Sequence, residues 1–139
     1  VELATGLSGP MGVAIGPDGA VYVAECEAGR VAKLAGGRKE VVMDALARPE
    51  GIAIAGGKLY AVDTVAKTLV ECALSGGGKQ KNASGLPVGA PQGIVGRHSG
   101  GVGDMCGPMW SFTGLAAGAD GTLYLAGDAE GSVLAIRPE

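Results

Sequence analysis

One block of residues recurs three times along the chain, and its spacing limits what the chain can become. Gly12-Val13-Ala14-Ile15 is followed by Asp18-Gly19, then Val21-Tyr22-Val23-Ala24, then Arg30-Val31. Gly51-Ile52-Ala53-Ile54 is followed by Gly56-Gly57, then Leu59-Tyr60-Ala61-Val62, then Thr68-Leu69. Gly114-Leu115-Ala116 is followed by Asp120-Gly121, then Leu123-Tyr124-Leu125-Ala126, then Ser132-Val133. In each copy an apolar residue (Val31, Leu69 or Val133) stands nine places after the tyrosine. A fixed internal period marks a repeat architecture, in which each unit buries its apolar faces against its neighbours.

Each segment reads as a strand. The tyrosine segments are short, apolar and preceded by Asp-Gly or Gly-Gly, which favour tight hairpin turns. A fourth segment follows at Glu40-Val41-Val42-Met43 in the first copy and, less apolar, from Lys79 to Ser84 in the second. Gly12 and Gly51 lie 39 residues apart, and four antiparallel strands at that period match one propeller blade. Glycine and proline interrupt every candidate helical window. The expected fold is all-β, with three four-stranded blades over residues 8–46, 47–86 and 87–139.

The ends extend the pattern. Val1-Glu2-Leu3-Ala4-Thr5-Gly6-Leu7 resembles the stretch from Val41 to Leu46, including a leucine three residues before proline. The chain is therefore expected to begin with a fourth strand that completes the last blade. Three blades cannot close a ring of ordinary geometry, and exposed blade edges are a liability. Two readings follow. Either two chains meet head to tail about a two-fold axis, giving a homodimer with six blades, or a complementary propeller half lies elsewhere in a longer polypeptide.

Composition narrows the function classes. Apolar residues at 47% and charged residues at 18% exclude a disordered polyampholyte. The 27 glycines follow no three-residue period, which excludes collagen. A net charge of −3, no basic cluster and few aromatic residues argue against nucleic acid as a partner. No apolar run reaches the length of a membrane span, and no signal-peptide pattern opens the chain. Val1 in place of Met reads as a removed leader or upstream region, or as a fragment. Cys26, Cys72 and Cys106 match no zinc spacing, and their odd number argues against a fully disulfide-bonded secreted domain.

The third copy is interrupted. Ala90-Pro91-Gln92-Gly93-Ile94 looks like the blade start Arg48-Pro49-Glu50-Gly51-Ile52, yet the hairpin that follows pairs with Gly114. Residues 94–113 thus read as a long loop at a blade crossover, a place where function concentrates. His98 is the sole histidine, so acid–base catalysis by histidine must use it, with Asp104 to orient the ring. Trp110 and Met109 read either as the wall of an apolar pocket or as anchors of the loop. Cys106 lacks a basic neighbour that would activate a thiol. Cys72 reads as core, and Asn82-Ala83-Ser84 as a short glycosylation-type pattern that arises often by chance. No phosphate-cradling loop or serine elbow is present.

The pattern Pro-x-Gly-[Val/Ile]-Ala-Ile … Asp-Gly-x-[Val/Leu]-Tyr-[Val/Leu]-Ala resembles the blades of NHL and gluconolactonase-like (senescence marker protein, strictosidine-synthase-like) propellers. The resemblance covers nearly the whole chain outside residues 94–113. It implies a divalent cation over the central channel, held by the residue before the glycine that opens each innermost strand. Those positions here are Met11, Glu50 and Gln92, or Thr113 if the insertion displaces the register. Glu50 is a good cation ligand, Gln92 and Thr113 offer neutral oxygens, and Met11 departs from the pattern. A two-fold dimer would gather two Glu50 and two Gln92, a donor set suited to calcium or magnesium. The other reading of Glu50 is a turn carboxylate paired with Arg48.

Glu25, Asp63 and Asp128 follow the three tyrosine strands and would line an acidic mouth, with Trp110, for a cation or small-molecule ligand. Alternatively they bond neighbouring turn amides. The expected function is ligand binding over the channel, with a metal-assisted lactonase or esterase as its enzymatic form. The alternative is a non-catalytic interaction scaffold of the NHL kind, because propellers host many unrelated functions.

Overall fold

Residues 1–89 and 113–138 are described in the computed structural model of the protein. Among them the secondary structure is all strand: β1 (Pro10–Ile15), β2 (Val21–Glu25), β3 (Arg30–Ala35), β4 (Arg38–Met43), β5 (Pro49–Ala55), β6 (Lys58–Asp63), β7 (Thr68–Ala73), β8 (Gln80–Ser84), β9 (Leu115–Ala117), β10 (Leu123–Gly127) and β11 (Ser132–Ile136). They form three antiparallel meanders in sequence order, β1-β2-β3-β4, β5-β6-β7-β8 and β9-β10-β11. These are propeller blades: each chain segment folds on itself through short turns and meets only the sheets before and after it. No helix among the described residues is long and apolar enough to cross a membrane.

The two-residue period of a strand sends alternate side chains to opposite faces, and the middle blade uses both. Leu59 and Ala61 join Tyr22, Ala24 and Val31 of the first blade in one core. Tyr60 and Val62, their sequence neighbours, join Leu123 and Leu125 of the third blade in the other. The recurring tyrosine is thus a blade-junction residue, Tyr22 filling the first junction and Tyr60 the second.

The innermost strands β1, β5 and β9 lie side by side, and glycine permits their approach. A Cβ on Gly12 would collide with the Glu50 carbonyl oxygen, and one on Gly51 would lie 2.5 Å from the Thr113 carbonyl oxygen and 2.8 Å from the Leu115 nitrogen. Gly12 and Gly51 are therefore spacing requirements where neighbouring innermost strands meet.

Residues 1–7, read from sequence as a strand that completes the last blade, pair with no strand among the described residues, and β11 carries no strand of that set on its outer side. Leu3 instead shares a groove with Val21 and Leu34, beside the first blade.

Candidate ligand site at the blade mouths

The second strand of each blade ends where the innermost strand begins, so the acidic residues named from sequence come to one end of the sheets. Local geometry shapes that end. In β1 and β5 the pairing slips between Pro10 and Val13 and between Pro49 and Ile52, two residues facing one on the neighbouring strand. Such bulges bend the strand and re-aim a side chain. Met11 and Glu50 sit in them. In the third blade the position matching Glu50 is Thr113, because Gly51 abuts Thr113 and Leu115 as Gly12 abuts Glu50 and Ile52. The insertion has displaced the register, and Gln92 lies outside the described residues, as do His98, Asp104 and Trp110.

Glu50 is buried. Its Oε1 accepts from Arg48 Nε at 3.0 Å and from Thr64 Oγ1 at 3.2 Å, while Oε2 accepts from the Thr113 amide at 3.0 Å. The Arg48 pairing foreseen from sequence is present, but the carboxylate is sealed from solvent. A carboxylate accepts about four hydrogen bonds, and three reach Glu50 from the described residues.

Thr113 also links Glu50 to Asp128, since its Oγ1 donates to Asp128 Oδ1 at 2.8 Å. The same oxygen accepts from the Gly89 amide at 2.9 Å. Asp128 Oδ2 is shielded from water and has no hydrogen-bond partner among the described residues. A buried, unsatisfied carboxylate oxygen costs several kcal/mol unless a donor or cation reaches it.

The other two carboxylates are saturated. Asp63 accepts from the amides of Ala47 (2.6 Å), Arg48 (3.1 Å), Val65 (3.2 Å) and Ala66 (3.0 Å). Glu25, fully buried, accepts from Arg30 Nε at 2.8 Å and Nη2 at 3.1 Å, from Lys39 Nζ at 3.2 Å and from the Ser8 amide at 3.0 Å. The Arg30 guanidinium is the main reason its carboxyl is held down to about 2; burial opposes, and the Ser8 amide and Lys39 add to the effect.

A common device links the three blades. Ser8, Ala47 and Gly89 stand two residues before Pro10, Pro49 and Pro91, and each donates its amide to the carboxylate at the end of a second strand. That carboxylate pins the chain as it enters a blade. Asp128 pins Gly89 and Thr113, the two described residues that bracket 90–112. Lys39 and Thr64 escaped sequence reading because each lies 14 residues from its acidic partner, whereas Arg30, opposite Glu25 across the β2–β3 turn, could have been found from the hairpin register.

Of the cysteines, Cys26 and Cys72 are free and buried. Burial pushes the Cys72 thiol up, as befits a packing residue.

For a divalent cation the donors near Thr113 are of the right chemistry, hard oxygens, but too few. No group of three or more His, Cys, Asp or Glu able to hold a metal occurs among the described residues. Glu50 and Asp128 are the two that would contribute.

The sequence matches no protein-family model and no curated protein. Solved structures do match. An oxidoreductase from Thermus thermophilus described as a glucose dehydrogenase superposes with TM-score 0.60 at 25% identity, over 91% of this chain and 38% of that one. The PQQ-bound aldose sugar dehydrogenase of Streptomyces coelicolor gives TM-score 0.66 at 21% identity, over 99% and 47%. Virginiamycin B lyase from Staphylococcus aureus gives 0.61 at 14%, over 99% and 44%. The chain spans less than half the length of each. These likenesses establish the fold, three consecutive blades of a β-propeller.

Proposed function

We propose that the chain is the ligand-binding part of a six-bladed propeller of the NHL and gluconolactonase-like kind, and that its ligand seats at the mouth around Glu50, Thr113 and Asp128. The observation that carries this reading is Asp128 Oδ2, an acceptor out of water and without a partner among the described residues, on the carboxylate that shares Thr113 with Glu50. A divalent cation, calcium by the chemistry of its donors, would satisfy that oxygen, as would a cationic or hydroxyl-bearing small molecule. A bound cation would supply Lewis acidity toward an ester or lactone carbonyl, and Glu50 and Asp128 would help hold it. His98 and Asp104 are assigned the proton relay in the hydrolase form, while Glu25 and Asp63 line the mouth with their charge already met, by Arg30 and Lys39 and by four backbone amides. The structural neighbours include two dehydrogenases and a lyase, which is in keeping with an enzymatic reading without specifying hydrolysis.

A second reading, a non-catalytic interaction scaffold, is favoured by the three donors that Glu50 already has. Thermal unfolding with calcium, magnesium or manganese separates the two. A cation at one hundred times its dissociation constant stabilises by roughly 2.7 kcal/mol. The wild type should show that shift, and Glu50→Gln and Asp128→Asn should each diminish it. Hydrolysis of a simple lactone that appears only with the same cation would establish the enzymatic form. No shift with any of the three ions sinks the cation site and leaves the scaffold.

A further inference from the structure

A cleft of about 300 Å³ lies at the second blade junction, at the turn ends of the sheets and so opposite the mouth. Lys58 and Tyr60 line it from the middle blade, and Asp120, Thr122, Arg137 and Pro138 from the third. Comparison across the repeat sets this corner apart from its counterpart. Counted from the tyrosines, Lys58 stands where the first blade has Ala20, and Arg137 and Pro138 stand where the middle blade has Ala73 and Leu74. At the first junction Ala20 is buried in the apolar core and Leu74 packs against it. At the second junction the same corner carries two cations in place of that apolar filling.

Hydrogen bonding decides what the cleft can take. Asp120, the one acid among its lining residues, is engaged by its own turn: Oδ1 accepts from the Thr122 amide at 3.0 Å and Oδ2 from Thr122 Oγ1 at 2.9 Å. Lys58 Nζ donates to Glu71 Oε1 at 2.7 Å; an ammonium carries three donors, so two remain. Arg137 is exposed, and no hydrogen bond or ion pair reaches its guanidinium from the described residues. Its donors lie in a planar fork that matches two oxygens of a carboxylate or phosphate. Glu71 and Asp120 balance Lys58 and Arg137 in formal charge. The preference is therefore for a small group held by directed hydrogen bonds, and not for a polyanionic surface.

We propose that this cleft is a second ligand site, for a small molecule bearing a carboxylate or phosphate group. Arg137 takes two oxygens of that group, and Lys58 donates to it from across the junction. The bond from the Thr113 amide to Glu50 ties the same two blades together at the mouth end, so an occupied cleft ties the junction at both ends. The site is independent of what seats at the mouth.

Amide NMR on the full 139-residue chain, titrated in turn with inorganic phosphate and with malonate at constant ionic strength, tests this. At least one anion should give saturable shifts confined to the cleft, at Gly56, Gly121 and Thr122. Whichever saturates at the lower concentration identifies the group that the cleft prefers. The position of these wild-type shifts locates the site without any variant. Arg137→Gln should then weaken binding about tenfold or more, as expected when a charge-assisted pair is removed, with the rest of the spectrum in place. Shifts that grow linearly with both anions, that gather elsewhere, or that saturate equally in Arg137→Gln would overturn the proposal.

Discussion

A carboxylate out of water must be neutralised or fully hydrogen-bonded, and this chain uses both solutions at equivalent places. Asp63 is held by four backbone amides, Glu25 by an arginine, a lysine and one amide. The difference has a pH consequence. The folded-state value of Glu25 is about 2, below its ordinary 4.5, so the unfolded chain binds the proton more tightly. Its contribution is complete above 4.5 and disappears as pH falls through the folded value. Because Arg30 and Lys39 are each about one-third exposed, solvent screening reduces the full shift to on the order of 2 kcal/mol. Denaturant titrations should find wild-type stability falling by that amount between pH 5 and pH 2, and a flatter acid limb in Glu25→Gln. Parallel acid limbs would show that the pair adds nothing.

Strands and turns were legible from the sequence because their signals are local. The tyrosine spacing located β2, β6 and β10 and their hairpin partners, and Glu40–Met43 and Lys79–Ser84 fell on β4 and β8. The candidate site was legible as a set of acidic positions but not in its wiring. Glu25 and Asp63 stand three residues after their tyrosines, Asp128 four, with Gly127 in the equivalent place. That one-residue offset aims Asp128 at Gly89 and Thr113, 39 and 15 residues away. Partners so distant leave no periodic trace. The recurring glycine of the innermost strands did leave one, and for Gly12 and Gly51 its reason is contact between neighbouring strands. Gly51→Ala would drive a methyl into the Thr113 carbonyl and Leu115 nitrogen, both backbone atoms that cannot swing away. Overpacking of this kind costs about 1–3 kcal/mol. Chemical denaturation should show a loss in that range, and a variant as stable as wild type would mean that β5 and β9 are not in close contact.

Blades stacked in an open arc form a nearly one-dimensional system, in which each unit is stabilised by its own hydrogen bonds and by its nearest neighbours. Among the described residues the middle blade contributes to both apolar cores, the first and third to one each, and the third has three strands where the others have four. Local opening should therefore cost least at β11 and most at β6, provided the outer faces are bare. Closure into a ring changes the boundary condition: every blade then has two neighbours and every edge a partner. Hydrogen exchange followed by mass spectrometry reads the two regimes directly. In the 139-residue chain alone, protection should fall outward from Lys58–Asp63 toward both ends, steepest at Ser132–Ile136. Any polypeptide that covers the Tyr124–Val133 and Val13–Ile15 faces should flatten the gradient, with the largest gain at Ser132–Ile136. Equal protection of all three blades in the chain alone would mean that each blade is stable alone. The junction cores built by the recurring tyrosines would then not be what couples one blade to the next.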